Sequence, residues 1–403
     1  MSDTFKAVKL TDRVYWVGAI DWAIRDFHGY ATTRGSTYNA YLILADQVTL
    51  VDTVKAPFFG EMMARIASVI DPKRIRTIIS NHSEMDHTGA LPETIKAIGP
   101  EKVFASTNGV KALEAHFHMG GGVQAVKDGE TLSLGNANVT FVETRMLHWP
   151  DSMMSYVAEE QVLFTQDGFG QHLASTERYA DEIAPDILRH EAAKYYANIL
   201  LPFSPLVTKA VERLRGLNLP LRMIAPDHGP IYRKDLAWII DLWARWAAQK
   251  PTTKAVVLYD SMWQSTATMA RVAADGLAEG GATDVKVLHA RQTHRSDVVA
   301  EVLEAGALVM GSPTINNTIF PALGDHMMYL EGLRRQNLIG AAFGSYGWSG
   351  EAVAKIETWM KSVKIEPAVE GLRVQYVPDE AALARTRAFG TKIGQALRAR
   401  CTG

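Results

Sequence analysis

The chain has 403 residues, a length that favours two domains over one. Apolar residues make up 47% of it and charged residues 21%, the balance of a globular protein with sizeable cores. The formal net charge is -2 and no basic tract is present, which argues against nucleic acid as a partner.

The first residues, Met1–Lys6, hold no apolar signal segment, and no uncharged run reaches the ~18 residues that a membrane span needs. We therefore expect a cytoplasmic protein with no membrane partner. The single cysteine, Cys401, excludes a disulfide within the chain and also a four-cysteine iron centre. An electron donor built on cysteine-ligated iron would have to be a separate protein.

Short β-branched runs separated by turns dominate the first half of the chain. The predicted strands cover residues 14–17, 40–44, 48–51, 76–80, 139–147, 161–165 and 221–227. Helical periodicity then predicts helices over residues 187–200, 205–216 and 234–249. The polar, proline-broken segment Lys250–Lys254 is typical of a linker, so we divide the chain into domains 1–250 and 251–403.

Two imidazoles and two carboxylates follow the strand predicted over residues 76–80. They are His82, Glu84, Asp86 and His87, and a strand that ends in such a loop can aim several ligands at one point. Imidazole and carboxylate together suit iron, manganese or zinc rather than magnesium or copper(I). The segment therefore predicts a metal site, with a charged surface turn as the bland alternative.

Three further candidate ligands, His148, Asp167 and His228, each follow an apolar run and precede a turn-breaking glycine or proline. If those strands share a sheet, all seven side chains gather on one rim. One metal ion rarely takes seven protein ligands. Two ions bridged by one carboxylate account for the number.

Strict alternation of strands and helices begins after the linker. Strands are predicted over residues 255–259, 285–290, 307–312, 338–345 and 372–377, and helices over 266–279, 297–304, 322–332, 350–361 and 379–400. Five strands with helical crossovers predict a doubly wound parallel sheet, whose ligand binds beyond the carboxyl ends of the strands.

Three loops leave that edge, at 260–266, 311–317 and 345–350. Hydroxyls at the start of the first helix suit a phosphate, aromatic rings suit a flat tricyclic ring, and the missing G-x-G-x-x-G motif argues against a dinucleotide. Alternatively, the hydroxyls of the first loop only cap the helix that follows it. The predicted flavin mononucleotide (FMN) residues are Ser261, Met262, Trp263, Gln264, Ser265, Thr266, Pro313, Thr314, Ile315, Asn316, Asn317, Ser345, Tyr346, Gly347, Trp348, Ser349 and Gly350.

The pattern H-x-E-x-D-H with a distant His, Asp and His resembles the core of the flavodiiron proteins, and the second half resembles a short-chain flavodoxin. The resemblance implies a metallo-β-lactamase-like αββα sandwich followed by a flavodoxin-like domain. It also implies that His82, Glu84 and His148 hold one iron, that Asp86, His87 and His228 hold the other, and that Asp167 bridges them. Hydrolytic relatives of that sandwich carry His at the position of Glu84.

The implied activity is reduction of O2 to water, of NO to N2O, or of both, with electrons passing from a rubredoxin-type donor through FMN to the diiron centre. A head-to-tail homodimer, or a dimer of such dimers, is implied as well. His28, His172 and Tyr195 are candidates to contact the bound gas or to orient the ligands. Two alternatives stay open: a metallo-hydrolase with an attached flavodoxin module, and an electron carrier with a metal-free first domain.

Overall fold

The computed structural model describes residues 4–402 and forms two compact units. The first comprises the chain up to His28 together with Thr32–Tyr195 and Pro205–Ala244. The second comprises Gly29–Ala31, Tyr196–Ser204 and the chain from Arg245 onward. A single domain boundary between residues 250 and 251 would assign the two short segments of the second unit to the first. In residues 4–402, no helix combines the length and the apolar character that crossing a membrane requires.

Between residues 4 and 244 the structure has sixteen strands, and most are only two to five residues long. They are β1 (Val8–Lys9), β2 (Val14–Trp16), β3 (Ala19–Asp21), β4 (Asp26–Phe27), β5 (Tyr30–Ala31), β6 (Ser36–Tyr38), β7 (Tyr41–Ile43), β8 (Thr49–Val51), β9 (Thr77–Ser80), β10 (Lys102–Ser106), β11 (Val123–Val126), β12 (Thr131–Ser133), β13 (Asn138–Glu143), β14 (Met153–Val157), β15 (Val162–Gln166) and β16 (Met223–Pro226).

Two sheets of the first unit pack face to face. One has the order β1-β2-β7-β8-β9-β10-β11 and the other the order β12-β13-β14-β15-β16. Their shared core includes Trp16, Ile79 and Phe104 from the first sheet and Phe141 and Phe164 from the second. Strands β14 and β15 are buried at every position, which shows that both faces of the second sheet are covered.

Helices flank the two sheets and complete the αββα sandwich. They are α1 (Phe59–Ala67), α2 (Met85–Thr88), α3 (Leu91–Ile98), α4 (Thr107–Phe117), α5 (Pro185–Tyr195), α6 (Ser204–Gly216) and α7 (Leu236–Ala247). The first-half pattern of strands and turns was incomplete, because α1, α3 and α4 lie between its strands. These helices are short, with nine, eight and eleven residues, and a helical period is hard to distinguish from a run of short strands over so few positions.

Two predicted elements of the first half were too long. The strand predicted over 139–147 ends at Glu143, because the chain then turns back and the Met146 amide donates to the Trp149 carbonyl at 2.7 Å. The helix predicted over 187–200 ends at Tyr195 and continues as a π-helical turn, Tyr196–Leu200. That turn belongs to the second unit, where Asn198 accepts a hydrogen bond from Tyr329 at 2.7 Å.

The second unit is the doubly wound sheet that the alternation predicted. Its strands are β17 (Lys254–Tyr259), β18 (Asp284–His289), β19 (Ala307–Gly311), β20 (Ile339–Tyr346), β21 (Glu366–Pro367) and β22 (Leu372–Gln375), and its helices are α8 (Ser265–Glu279), α9 (Arg295–Val302), α10 (Pro321–Leu333), α11 (Glu351–Ser362) and α12 (Glu380–Thr402). All pairings are parallel, in the order β18-β17-β19-β20, with β21 and β22 both paired to β20.

Helices α8 and α12 pack against the same face of this sheet and against each other. Glycines let the two backbones touch, because a Cβ at Gly276 would lie 2.2 Å from the Arg387 carbonyl oxygen, and one at Gly390 would lie 2.2 Å from that of Ala273. The chain leaves β17 for β18 on one side and later returns to β19 on the other. The strand order therefore reverses beside β17, where such sheets bind ligands.

Candidate metal centre and flavin cavity

The first candidate site lies where β9 ends. The backbone of Asn81 and its side chain both donate to the buried carboxylate of Asp52, at 2.6 and 2.8 Å, which fixes the chain as it leaves the strand. Residue Glu84 then caps the short helix α2, which carries Asp86 and His87. The loop therefore turns its two imidazoles and two carboxylates inward without crossing the core.

The seven predicted ligands form two adjacent groups. His82, Glu84, His148 and Asp167 each offer a donor atom within 4.8 Å of the others, and so do Asp86, His87 and His228. In the first group, Glu84 Oε2 lies 3.3 Å from His82 Nε2 and 3.0 Å from His148 Nε2. In the second, Asp86 Oδ2 lies 3.0 Å from His228 Nε2.

Asp167 lies between the two groups and presents one oxygen to each. Its Oδ2 is 3.3 Å from His82 Nε2 and 3.0 Å from His148 Nε2. Its Oδ1 is 3.3 Å from His87 Nε2 and 3.5 Å from His228 Nε2. A carboxylate in this position can bridge two cations, one on each oxygen.

The opposite nitrogens of three of these histidines face outer partners, and those of His82 and His228 are hydrogen-bonded to them. His82 Nδ1 is 3.1 Å from Asp151 Oδ2, His87 Nδ1 is 3.4 Å from Asp227 Oδ2, and His228 Nδ1 is 2.6 Å from the Thr37 carbonyl oxygen. Such partners fix the ring so that Nε2 carries a lone pair toward a metal. Sequence reasoning missed Asp151 and Asp227, although each lies within three residues of a predicted ligand.

A second contact that the sequence did not reveal ties two of the ligand loops together. Gln166 Nε2 donates to the Leu147 carbonyl at 2.5 Å, and its Oε1 accepts from the Asp167 amide at 2.6 Å. One side chain thereby fixes the residue before His148 and the backbone of Asp167.

The electrostatics of the cluster suit cations. Burial lowers the pKa of His87, but the carboxylates of Asp86 and Asp167 outweigh it and raise that pKa to about 10. Among the described residues, both oxygens of Asp86, both ring nitrogens of His87 and Oδ1 of Asp167 make no hydrogen bond, although all are buried. Buried polar atoms normally find partners, so a set of unpartnered imidazole and carboxylate donors facing one another fits a pair of metal ions.

His28, His172 and Tyr195, the residues predicted to contact the bound gas or to orient the ligands, differ in their exposure to solvent. His172 and Tyr195 are buried, and the His172 ring packs edge-to-face against His228 and Tyr195, with centroid distances of 4.7 and 5.1 Å. Burial holds the pKa of His172 well below its usual range, and burial together with the nearby carboxylate of Asp167 holds the pKa of Tyr195 well above its usual range. The side chain of His28 is 72% exposed, with Nε2 3.2 Å from Glu84 Oε1.

A cavity of about 510 Å³ opens onto this cluster. Its lining includes Glu84 and Asp86 from the metal cluster, with His28, His116 and Trp149 around them. His116 Nδ1 lies 3.2 Å from the Ser83 carbonyl oxygen, at the foot of the ligand loop. The cavity gives a small molecule access to Glu84 and Asp86.

A second cavity, of about 450 Å³, lies at the carboxyl edge of the sheet in the second unit. It is lined by Met262, Trp263, Ser265, Pro313, Thr314, Asn316, Asn317, Ser345, Tyr346, Gly347, Trp348, Ser349, Tyr376 and Val377. The three predicted loops therefore meet around one cavity. Its aromatic rim is open, since Trp263 is 81% exposed and Trp348 is 87% exposed.

Several predicted flavin residues do not line this cavity. They are Ser261, Gln264, Thr266, Ile315 and Gly350. Ser261 and Thr266 are buried at the start of α8, where Ser261 Oγ accepts from the Ala267 amide at 3.3 Å and Thr266 Oγ lies 2.8 Å from Ser345 Oγ. The sequence missed Tyr376 and Val377, which were predicted to be the last residues of the fifth strand but follow its observed end at Gln375 and so reach the same edge.

Comparison with known proteins matches both halves of the chain. Residues 37–229 match the ODP family of beta lactamases, and residues 257–390 match flavodoxin. Over 98% of this chain and 99% of the relative, it is 46% identical to a rubredoxin-oxygen oxidoreductase of Megalodesulfovibrio gigas. It is 45% identical to a nitric oxide reductase of Moorella thermoacetica, over 96% of this chain and 98% of that one.

A solved structure extends the match to the fold. The flavodiiron protein from Giardia intestinalis is 31% identical and superposes with a TM-score of 0.94, covering 100% of this chain and 99% of the other. The expected sandwich and flavodoxin-like sheet are thereby confirmed, and so are the expected cofactors, FMN and a diiron centre. The chain therefore belongs to the flavodiiron proteins, a family of oxidoreductases.

Proposed function

We propose that this chain reduces O2 to water, NO to N2O, or both, with electrons that a rubredoxin-type donor delivers through FMN to the diiron centre. The names of the relatives from M. gigas and M. thermoacetica support both gases as substrates and rubredoxin as the donor. The observation that carries the proposal is the position of Asp167 between two donor groups. A bridged pair of irons can supply two electrons to a diatomic ligand.

In this proposal His82, Glu84 and His148 hold one iron, Asp86, His87 and His228 hold the other, and Asp167 bridges them. The two groups of donor atoms and the two-sided contacts of Asp167 support that division. Glu84 supports iron over zinc, because a third carboxylate adds the hard oxygen donor that iron accepts readily.

The residues around the irons have separate tasks. Tyr195 keeps its proton, since its pKa is held well above the usual range, so its hydroxyl can donate a hydrogen bond to a carboxylate such as Asp167. His172 stays neutral and packs on His228, which orients that ligand. His28 reaches Glu84 from the open cavity, where it can form a hydrogen bond beside the metal cluster. Both gas reductions consume protons as well as electrons.

The loops around the cavity of the second unit are the proposed flavin site. Ser261, Ser265 and Thr266 would hold the phosphate at the N-terminus of α8. The two other loops, with Pro313, Thr314 and Asn317 and with Tyr346–Gly350, would line the ring. The open aromatic rim supports this assignment, because a flavin that exchanges electrons with a protein needs an accessible edge.

We place the boundary between the diiron and flavin domains at residues 250 and 251, and the protein itself in the cytoplasm. A chain with one cysteine has no disulfide to protect, which suits a reducing compartment. We also propose a head-to-tail homodimer in which the flavin of one chain lies beside the diiron centre of the other. The exposed side chains of Trp263, Trp348 and Val377 support a partner that covers them.

Turnover with each gas, using the same reduced rubredoxin, tests the activity. We expect consumption of at least one gas, whereas NADH alone should not reduce the flavin at a useful rate because the chain carries no dinucleotide motif. Rapid oxidation of NADH by the pure protein would contradict the proposed donor.

A mixed dimer tests the arrangement. One chain carries Asp167→Ala with its flavin loops intact, and the other keeps its irons but has Ser261, Ser265 and Thr266 each replaced by alanine. Transfer between chains leaves one working pair and about half the wild-type rate. A folded, dimeric hybrid without activity would refute the head-to-tail dimer.

A further inference from the structure

The phosphate loop of the flavin domain begins with a buried negative charge, the carboxylate of Asp260. We propose that Arg291 is a positioning residue that neutralises this charge, and that the loop accepts the FMN phosphate only because of it. The inference rests on the proposed flavin site. It concerns a residue outside the three loops that line the cavity.

Asp260 follows β17 and is completely buried. Its Oδ1 accepts hydrogen bonds from the Ser261 amide at 2.7 Å and from Arg291 Nε at 2.9 Å. Its Oδ2 makes no hydrogen bond with any residue in the range 4–402. A buried carboxylate with a free oxygen is costly unless a cation lies beside it.

Arg291 supplies that cation from the loop after β18. Besides Asp260, its guanidinium donates to the Ser261 carbonyl at 2.5 Å, so it holds both residues that open the phosphate loop. The next basic group, His289 Nε2, is 3.9 Å from Asp260 Oδ1. The arginine side chain is 53% exposed, so it is itself well solvated and pairs with Asp260 from the surface.

The loop has no positive charge of its own. Between Asp260 and Thr266 it contains hydroxyl, amide and apolar side chains but no lysine or arginine. A phosphate monoester carries a charge of about -1.5 to -2 near pH 7. Bound at the hydroxyls of Ser261 and Ser265, it would meet the carboxylate of Asp260 one residue away, and Arg291 balances that repulsion.

The test compares FMN with riboflavin, which lacks the phosphate. Each is titrated by fluorescence quenching into the full-length protein after its flavin has been removed by dialysis. For Arg291→Gln, we expect FMN affinity to fall about tenfold or more while riboflavin affinity changes less than about twofold. Arg295→Gln is the matched control, because it breaks a surface pair with Asp325 and should leave both affinities unchanged.

A second substitution separates charge from support of the loop. Asp260→Asn keeps the shape and removes the charge, so alone it should leave FMN affinity unchanged or improve it. Combined with Arg291→Gln, it should restore FMN affinity to within about threefold of wild type. If Arg291 only supported the loop, the double variant would bind FMN as poorly as Arg291→Gln.

Three further results would contradict the proposal or the flavin site on which it rests. Unchanged FMN affinity in Arg291→Gln would overturn the inference, and so would a loss of FMN affinity in Asp260→Asn. A Ser265→Ala variant with wild-type preference for FMN over riboflavin would show that the phosphate binds elsewhere. That result would overturn the proposed flavin loop as well, whereas the first two results leave the loop standing.

Discussion

The metal cluster and the flavin cavity both lie where strands end, but they are built in opposite ways. Donor atoms of the metal cluster come from buried side chains, two of which are fixed on their far sides by hydrogen bonds to Asp151 and Thr37, while Asp227 lies 3.4 Å behind His87. The flavin cavity is an open cleft, and its largest rim side chains, Trp263 and Trp348, are more than four-fifths exposed.

The difference follows from what each site holds. Metal affinity depends on donor positions to within fractions of an ångström, so outer contacts must fix each ring. A flavin is held by many weaker contacts spread over a large ring, and its edge must stay accessible to a donor protein. Substitutions in the metal cluster should therefore act sharply, and those on the flavin rim should act gradually.

The largest effect is expected for Asp167→Ala, which removes a side chain that contacts both donor groups. We expect loss of iron from both positions and at least about a hundredfold loss of gas reduction, because the remaining donors lose their shared anion. The flavin should stay bound, since it lies in the other domain. Metal analysis and flavin absorbance on the same sample measure both. A surface variant, Asp128→Ala, should change neither, and an Asp167→Ala protein with full iron would refute the bridge.

Exchange of one ligand should change the metal rather than empty the site. Glu84→His restores the histidine of the hydrolytic relatives, so we expect the zinc-to-iron ratio to rise about tenfold or more when both metals are offered. Competitive loading followed by elemental analysis measures this ratio. Glu84→Gln, which removes charge without adding an imidazole, should weaken iron without favouring zinc as strongly. An unchanged ratio in Glu84→His would count against the charge argument.

Loss of an outer contact should act more weakly than loss of a ligand. Asp151→Asn keeps the shape beside His82 Nδ1 but removes the negative charge, so we expect about tenfold weaker iron binding. Iron retention against a graded chelator series is the appropriate measurement. Asp128→Asn serves as the control at a surface ion pair. Equal retention in the two variants would show that Asp151 does not orient His82.

The smallest effect is expected on the flavin rim. Trp348→Ala removes one exposed ring among several, which should weaken flavin binding by about 1 kcal/mol, or roughly fivefold. Flavin dissociation on dilution, followed by fluorescence, gives the value. Trp22→Ala, at an exposed tryptophan of the other domain, is the control. Complete loss of flavin from Trp348→Ala would show that the rim is as finely fixed as the metal cluster.

The sequence predicted some parts of the two sites and missed others. The predicted strands indicated the places of Asp167, directly after β15, and of His228, two residues after β16, because a strand leaves little freedom to the residues that follow it. His148, in contrast, lies five residues beyond the end of β13. The sheet in the second unit was predicted from its alternation. Short helices such as α1 and α3 were missed, since nine and eight residues are too few to distinguish a helical period from a strand pattern.

Contacts between distant segments could not be predicted. Nothing in the sequence near Gln166 indicates that it reaches the Leu147 carbonyl, and Arg291 lies about 30 residues beyond the loop that it holds. Asp151 and Asp227 were within reach, because each lies near a predicted ligand. Their role, however, depends on the side of the imidazole that they contact, which only the fold determines.

Metal and flavin content of the full-length protein tests the central claim most directly. We expect about two iron ions and about one FMN per chain, with iron preferred over zinc when both are supplied. Two zinc ions per chain would contradict it in favour of the hydrolase, and flavin without metal would contradict it in favour of a simple electron carrier.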